Sequence, residues 1–181
     1  KLALADSQQK RDAARTQALR PLFSVTESLL SETRREPLLD LIVSAICEHM
    51  HCSHAACYQQ NVETREFILL SSRGVNPSRE HQDLISHVDA SATPILVNAN
   101  GPGDLRLKSL LTDLHLGAAI LVPILHPNLR MVLYAARAVN EPPFRESDLE
   151  LFQILARQSA AALENAHLYE QASELAAMQE R

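Results

Sequence analysis

The sequence predicts an α+β fold: an antiparallel sheet covered by helices on both faces, with long helices at the two ends of the chain. Three observations predict it. Short apolar runs at 54–61 with 66–72, and at 119–125 with 131–139, read as two antiparallel hairpins. In both hairpins the two alternating sets of side chains are apolar, so both sheet faces need cover. Segments of helical periodicity precede, separate and follow the hairpins.

Residues 1–20 are polar and helix-friendly, with Leu4, Ala14, Ala18 and Leu19 on a thin apolar stripe. Pro21 is expected to break or kink this helix. Leu22, Val25, Leu29 and Leu30 continue it at helical spacing, and the stripe needs a partner. Pro37 suits the first turn of the next helix, whose apolar face is Leu38, Leu41, Ile42, Ala45 and Ile46. In the strand at 66–72, Phe67 and Leu69 alternate with Ile68 and Leu70, which predicts cover on both sides. Asn76-Pro77 reads as a helix start, with the helix running to about His87. A short strand at 94–98, a Gly101-Pro102-Gly103 loop and a helix at 105–116 ended by Gly117 follow. His126 to Arg130 form the second hairpin loop. Ser147-Asp148-Leu149-Glu150 reads as a capping box with Ser147 as cap. The helix after it meets no breaker before Arg181, roughly 50 Å at ~1.5 Å per residue. Phe152, Leu155, Ser159, Ala162, Ala166 and Tyr169 mark one face of it; Leu151, Ile154, Gln158 and Leu163 mark a second. Two faces imply two partners, the sheet and a second copy of the chain.

With 181 residues the chain holds one domain plus extensions, and a 46% hydrophobic content builds a core. The net charge is −5 and basic residues are scattered apart from Arg34-Arg35, which argues against nucleic acid. No run approaches the ~20 apolar residues of a membrane span, and no leader is seen. The chain starts at Lys1 and is expected to be a piece of a larger protein. Three cysteines suit a reducing cytoplasm better than a disulfide scaffold.

Leu121-Val122-Pro123-Ile124 before the 131–136 strand resembles the "VP" hairpin of GAF domains. Phe144 to Leu149 is similar to that family's F-x-x-x-D-L helix start, Leu155 to Ala166 to its final helix, and Leu70 to Gly74 to the end of its second strand. The resemblance spans about 36–171. Met131 stands near a position where the family often has Gly, and the stretch between Gly74 and Pro94 is shorter than common. The resemblance implies five to six strands between helices, a small-ligand pocket under short helices on one face, and terminal helices that form a dimer on the other. It also implies an output domain in the same polypeptide, as in a sensor histidine kinase of a two-component system or a similar regulator. On that basis 1–34 is a signalling helix, 35–171 the sensor domain and 172–181 the start of a coiled-coil linker. The pocket residues it suggests are Tyr58, Asn98, Asp104, Arg106, His115 and Tyr134. The ligand and any cofactor are left open.

Other chemistry is weaker. Cys47, His49, His51, Cys52 and His54 include soft and imidazole ligands. Yet Cys52 turns roughly 140° from Cys47 on a helix, and no second pair closes a tetrahedral site. Cys57 lies mid-strand as a small hydrophobe. The family's methionine sulfoxide reductase places cysteines around its pocket, and its bilin binders place one in the pocket helices; neither pattern is met here. His81, His87 and His115 are haem candidates, with few aromatic residues to stack on the ring. The loop 98–104 lacks the Lys and Gly spacing of a phosphate loop. The sequence therefore reads as a sensor without catalytic or metal-ligating residues. A ligand-free dimerisation scaffold, or a metal or redox site at 47–54, are the alternatives. A polar-lined pocket favours the sensor, and one filled by aliphatic side chains favours the scaffold.

Overall fold

The computed structural model describes residues 2–127 and 129–180. The side chains of Leu2, Ala3, Arg15, Ala18, Pro21 and Glu80 lie outside the description, as do Lys1, Asn128 of the hairpin loop and Arg181. Helix α1 (Leu2–Ser31) and helix α2 (Arg35–Met50) lead into strands β1 (His54–Gln60) and β2 (Phe67–Arg73). Helix α3 (Arg79–Ser91), strand β3 (Ile95–Asn98) and helix α4 (Leu105–Asp113) follow. Strands β4 (Leu116–His126) and β5 (Leu129–Ala138) precede helix α5 (Glu146–Gln179). The five strands form one sheet in the order β2-β1-β5-β4-β3, every pairing antiparallel.

Alternation along the central strands divides the sheet into two faces. Ala55, Cys57, Met131, Leu133, Ala135, Ile120 and Val122 face a core shared with Leu29 of α1, Leu38, Ile42 and Ile46 of α2, and Phe152, Leu155 and Ala162 of α5. Ala56, Tyr58, Val132, Tyr134, Ala136, Ala119 and Leu121 face the other way. They meet Leu84, Ile85 and Val88 of α3 and Leu107 and Leu111 of α4. Paired alanines on β1, β4 and β5 keep the middle of the sheet thin, so the covering side chains can approach closely.

Several local expectations are corrected. Helix α1 runs on through Pro21. Proline removes one backbone hydrogen bond there without ending the helix, and burial of Leu22 and Leu29 anchors the following turns. β2 is an edge strand and is not covered on both sides, since Ile68 is half exposed. Helix α3 is capped by Ser78, whose hydroxyl accepts from His81 N, and not by Asn76; it runs on to Ser91. Helix α5 starts after Arg145, whose backbone N–H donates to the Asp148 carboxylate at 2.7 Å. Ser147 is thus already helical.

Gly117 is a correction with a clear cause. Helix α4 stops at Asp113, and the left-handed residue at its exit is His115, with φ of 56°. Gly117 lies inside β4, where the register with β5 shifts between Leu116 and Ala118. A Cβ there would sit 2.7 Å from Ala138 O and 2.9 Å from Val139 Cα. Glycine is needed for backbone approach at a bulge, not to end a helix. Gly117→Ala is expected to destabilise the fold by about 2 kcal/mol, in the range of overpacking. Urea denaturation followed by circular dichroism measures this; an unmoved midpoint would mean that the strands part to admit the methyl.

Candidate ligand site

The sheet face under α3 and α4 holds two tyrosines on adjacent strands. Tyr58 of β1 pairs with Val132, and Tyr134 of β5 pairs with Ala56, so the two phenols are diagonal neighbours. Both are fully buried. Neither hydroxyl has a hydrogen-bond partner. The β1–β2 register shifts between Cys57 and Tyr58, a bulge that re-aims the backbone beside this ring.

Burial pushes the Tyr58 phenol up to about 12. It raises Tyr134 further, with Tyr58 and Cys52 adding to the effect. Both hydroxyls are therefore neutral donors throughout the physiological range. Leaving each unpaired in an apolar layer costs about 1–3 kcal/mol.

His81 of α3 packs edge-on against Tyr134, ring centroids 5.7 Å apart. Its Nδ1 lies 3.0 Å from the Ser78 hydroxyl, which also caps the helix. Gln82 donates to Phe67 O at 2.7 Å, and Asp89 accepts two bonds from Arg130 at 2.7 and 3.1 Å. Helix α3 is thus tied along its length by polar contacts above the two phenols.

The remaining expected site residues lie elsewhere. Asn98, at the end of β3, receives from Phe144 N at 3.0 Å and donates to Phe144 O at 3.1 Å. That two-way clasp is structural. Asn98 and His115 line an edge groove of about 540 Å³ with Asn100, Thr112, Glu141 and Phe144. Asp104 caps α4 by accepting from Arg106 N at 2.7 Å, and both side chains are exposed. The six expected residues therefore divide into one buried pair, one edge pair and one surface pair. Ser78 and Gln82 were not anticipated; the Ser-x-x-His spacing of a helix cap was the available signal for the first. His81 was singled out only as a haem candidate.

The cysteines lie away from the phenols. Cys52 and Cys57 belong to the core on the α2 and α5 side. Burial raises all three thiols, Cys52 up to about 12 and Cys57 beyond that. Among the described residues no three His, Cys, Asp or Glu side chains converge on a metal position. Among the same residues no helix is long and apolar enough to cross a membrane.

The phenols make stability depend on alkaline pH. A phenol raised in the folded state contributes its full stability below the unfolded value near 10, and loses it as pH rises through the folded value. For Tyr58 the window runs from about 10 to about 12. Wild type should lose about 2 kcal/mol more than Tyr58→Phe across it. Urea titrations at the two ends of the window test this, and parallel losses would mean that the phenol is solvated.

The sequence model of the GAF domain family matches residues 34–163. No curated protein matches the chain. The fold is similar to the GAF domain of a phosphoenolpyruvate-protein phosphotransferase from Coxiella burnetii, with TM-score 0.68 and 20% identity over 85% of this chain and 96% of that one. It is also similar to free methionine-R-sulfoxide reductase from Neisseria meningitidis, with TM-score 0.64 and 16% identity over 80% and 87%. A third similar structure is the GAF domain of a proposed sensor histidine kinase from Pseudomonas syringae pv. tomato, with TM-score 0.59 and 19% identity over 92% and 98%. The five-stranded antiparallel sheet, its helical layers and the family match agree, and the chain belongs to the GAF domain family, whose members are generally small-molecule sensing modules of signalling proteins.

Proposed function

We propose that this chain is a regulatory sensor module that binds a small molecule between the sheet and helices α3 and α4. The observation that carries the reading is the pair of buried phenol hydroxyls, Tyr58 and Tyr134, without partners in a layer that is apolar apart from His81. Native structures rarely leave buried donors unpaired without a reason. The fitting ligand is compact and mostly apolar, with acceptor atoms for two phenol donors.

The route to an output is short. Tyr58 and Tyr134 are chain neighbours of Cys57 and Leu133, which pack on the opposite face with α2 and α5. A ligand that shifts the phenols shifts the floor beneath the terminal helices. Residues 1–34 and 172–181 then serve as signalling helix and linker around a sensor spanning 35–171, in a cytoplasmic homodimer. Leu4, Phe23 and Leu30 of α1 and Leu168, Tyr169, Leu175 and Met178 of α5 are exposed apolar side chains available for pairing. The reading assigns the module no catalytic turnover. The Cys52 and Cys57 thiols lie in the opposite core, where burial raises both.

The aliphatic filling of the same layer by Leu84, Ile85, Val88, Leu107 and Leu111 favours a second reading, a ligand-free dimerisation scaffold. The two differ in what the hydroxyls are for. Under both, Tyr134→Phe stabilises the free chain by about 1 kcal/mol, because an unpaired buried donor is removed. Under the sensor reading alone, a small-metabolite library contains compounds that raise the melting temperature of wild type, and Tyr58→Phe and Tyr134→Phe lose that shift. A ligand at 100 times its Kd should give about 2.7 kcal/mol. A library without effect on wild type, beside an intact dimer, would favour the scaffold.

A further inference from the structure

The end of helix α2 holds a feature that the ligand site does not use. Its last turn closes with His51 in the left-handed conformation, φ 47° and ψ 53°. Cys52 N then donates back to Cys47 O at 3.2 Å. This bond, from the second residue past the cap to the third from the helix end, defines a Schellman ending. In that ending the two residues so linked usually touch through apolar side chains. Here both are cysteines, so the backbone bond that closes the helix brings Cys47 and Cys52 side by side. All three cysteines of the chain are unpaired.

The two thiols differ in setting. Cys47 is half-buried and has the positive charge of Arg73 beside it. Cys52 is buried, 3.4 Å from His54 O and 3.9 Å from Ile46 O. Each thiol has a cation near it, Arg73 by Cys47 and Arg137 by Cys52, and burial still raises both; what separates them is access, since Cys47 is half-buried and Cys52 buried. That is the division of labour of an attacking and a resolving cysteine. Cys57, in the middle of β1 and without exposure, stands apart.

We propose that Cys47 and Cys52 form a reversible intrachain disulfide, so that the end of α2 is a thiol modification site that responds to peroxides. The Cys47 thiol gives up its proton, and the thiolate attacks one peroxide oxygen. The O–O bond breaks, water leaves, and Cys47 becomes a sulfenic acid. Cys52 then attacks the Cys47 sulfur; the S–S bond forms, the S–O bond breaks and a second water leaves. Two thiols and one hydrogen peroxide give one disulfide and two waters, with two electrons passed to the peroxide. A small dithiol reverses the step. The crosslink fixes the helix ending beside Met50, whose carbonyl accepts from Arg137.

The test uses the whole chain with hydrogen peroxide as the probe, followed by unfolding in an alkylating reagent and mass spectrometry. Reduced protein should be alkylated at all three cysteines. After peroxide the chain should lose two hydrogens and be alkylated only at Cys57, and dithiothreitol should restore the rest. Glu48 offers a cleavage point between the pair, so peptide mapping distinguishes a 47–52 bridge from any other. Cys57→Ala should behave as wild type, and Cys52→Ala should leave a sulfenic acid on Cys47 that dimedone captures. Should Cys52→Ala fail to fold, the wild-type map alone decides. Three thiols surviving peroxide, or a bridge that includes Cys57 or joins two chains, would overturn the proposal.

Discussion

One buried cation sets where the helical layer meets the sheet. Arg137, at the end of β5, is 8% exposed. Its guanidinium donates to Met50 O at 2.7 Å and to Pro142 O and Pro143 O at 3.2 Å each. It also lies over the Phe144 ring, 4.1 Å from the centroid. Helix carbonyls at a C-terminus carry partial negative charge, so the end of α2 is a natural seat for it. The planar fork of arginine reaches these carbonyls while its face stacks on the Phe144 ring, which a tetrahedral ammonium does not reproduce. Phe144 is in turn clasped by Asn98 at the sheet's opposite edge. A single side chain therefore fixes the end of α2, the start of α5 and, through Phe144, the end of β3.

This frame makes the sheet a shared floor. From Ala55 to Tyr58 in β1 and from Met131 to Ala136 in β5, successive residues alternate between the two cores by parity. Cys57 and Tyr58 are consecutive, as are Leu133 and Tyr134, yet each pair serves two different layers. Close packing transmits displacement because the interior has little free volume. The two layers are nonetheless held differently. The α2 and α5 layer is large and apolar, whereas α3 is tied by polar contacts such as Gln82 to Phe67 O and Asp89 to Arg130. Helix α3 adds the buried Leu84, Ile85 and Val88 to these contacts, so its hold on the sheet is both apolar and polar.

Much of the architecture was legible because strand parity and helix periodicity are encoded locally. The hairpins and the five helices follow from that alone. Helix boundaries were harder. Asn76 and Ser78 are both good caps, and which one acts depends on where α3 must begin to reach the sheet. Gly117 read as a helix stop because its real neighbour, Ala138, is distant in sequence. Arg137 carried no signal, since a lone arginine after an apolar strand reads as surface. Within the site, Tyr58 and Tyr134 came from family resemblance, and strand pairing brings them together. Asp104 and Arg106 were named from the same source, but here they serve a helix cap and the surface. Asn98 is polar and close to a groove, yet its amide is fully committed to Phe144.

The energetics of the tyrosine pair match what a sensor requires. Two unpaired hydroxyls burden the free state by about 1–3 kcal/mol each. An occupant that accepts from both removes that burden only in the bound state, so the relief is differential by construction. Coupling energies that shift regulatory equilibria are of the same size, about 1–3 kcal/mol. The remaining aliphatic contacts need change little, because they serve both states. A tightly packed layer is thus compatible with sensing, provided that α3 can move far enough to admit a compact molecule. In the proposed sensor the layer is marked as a site not by empty space within it but by the two donors it leaves unpaired.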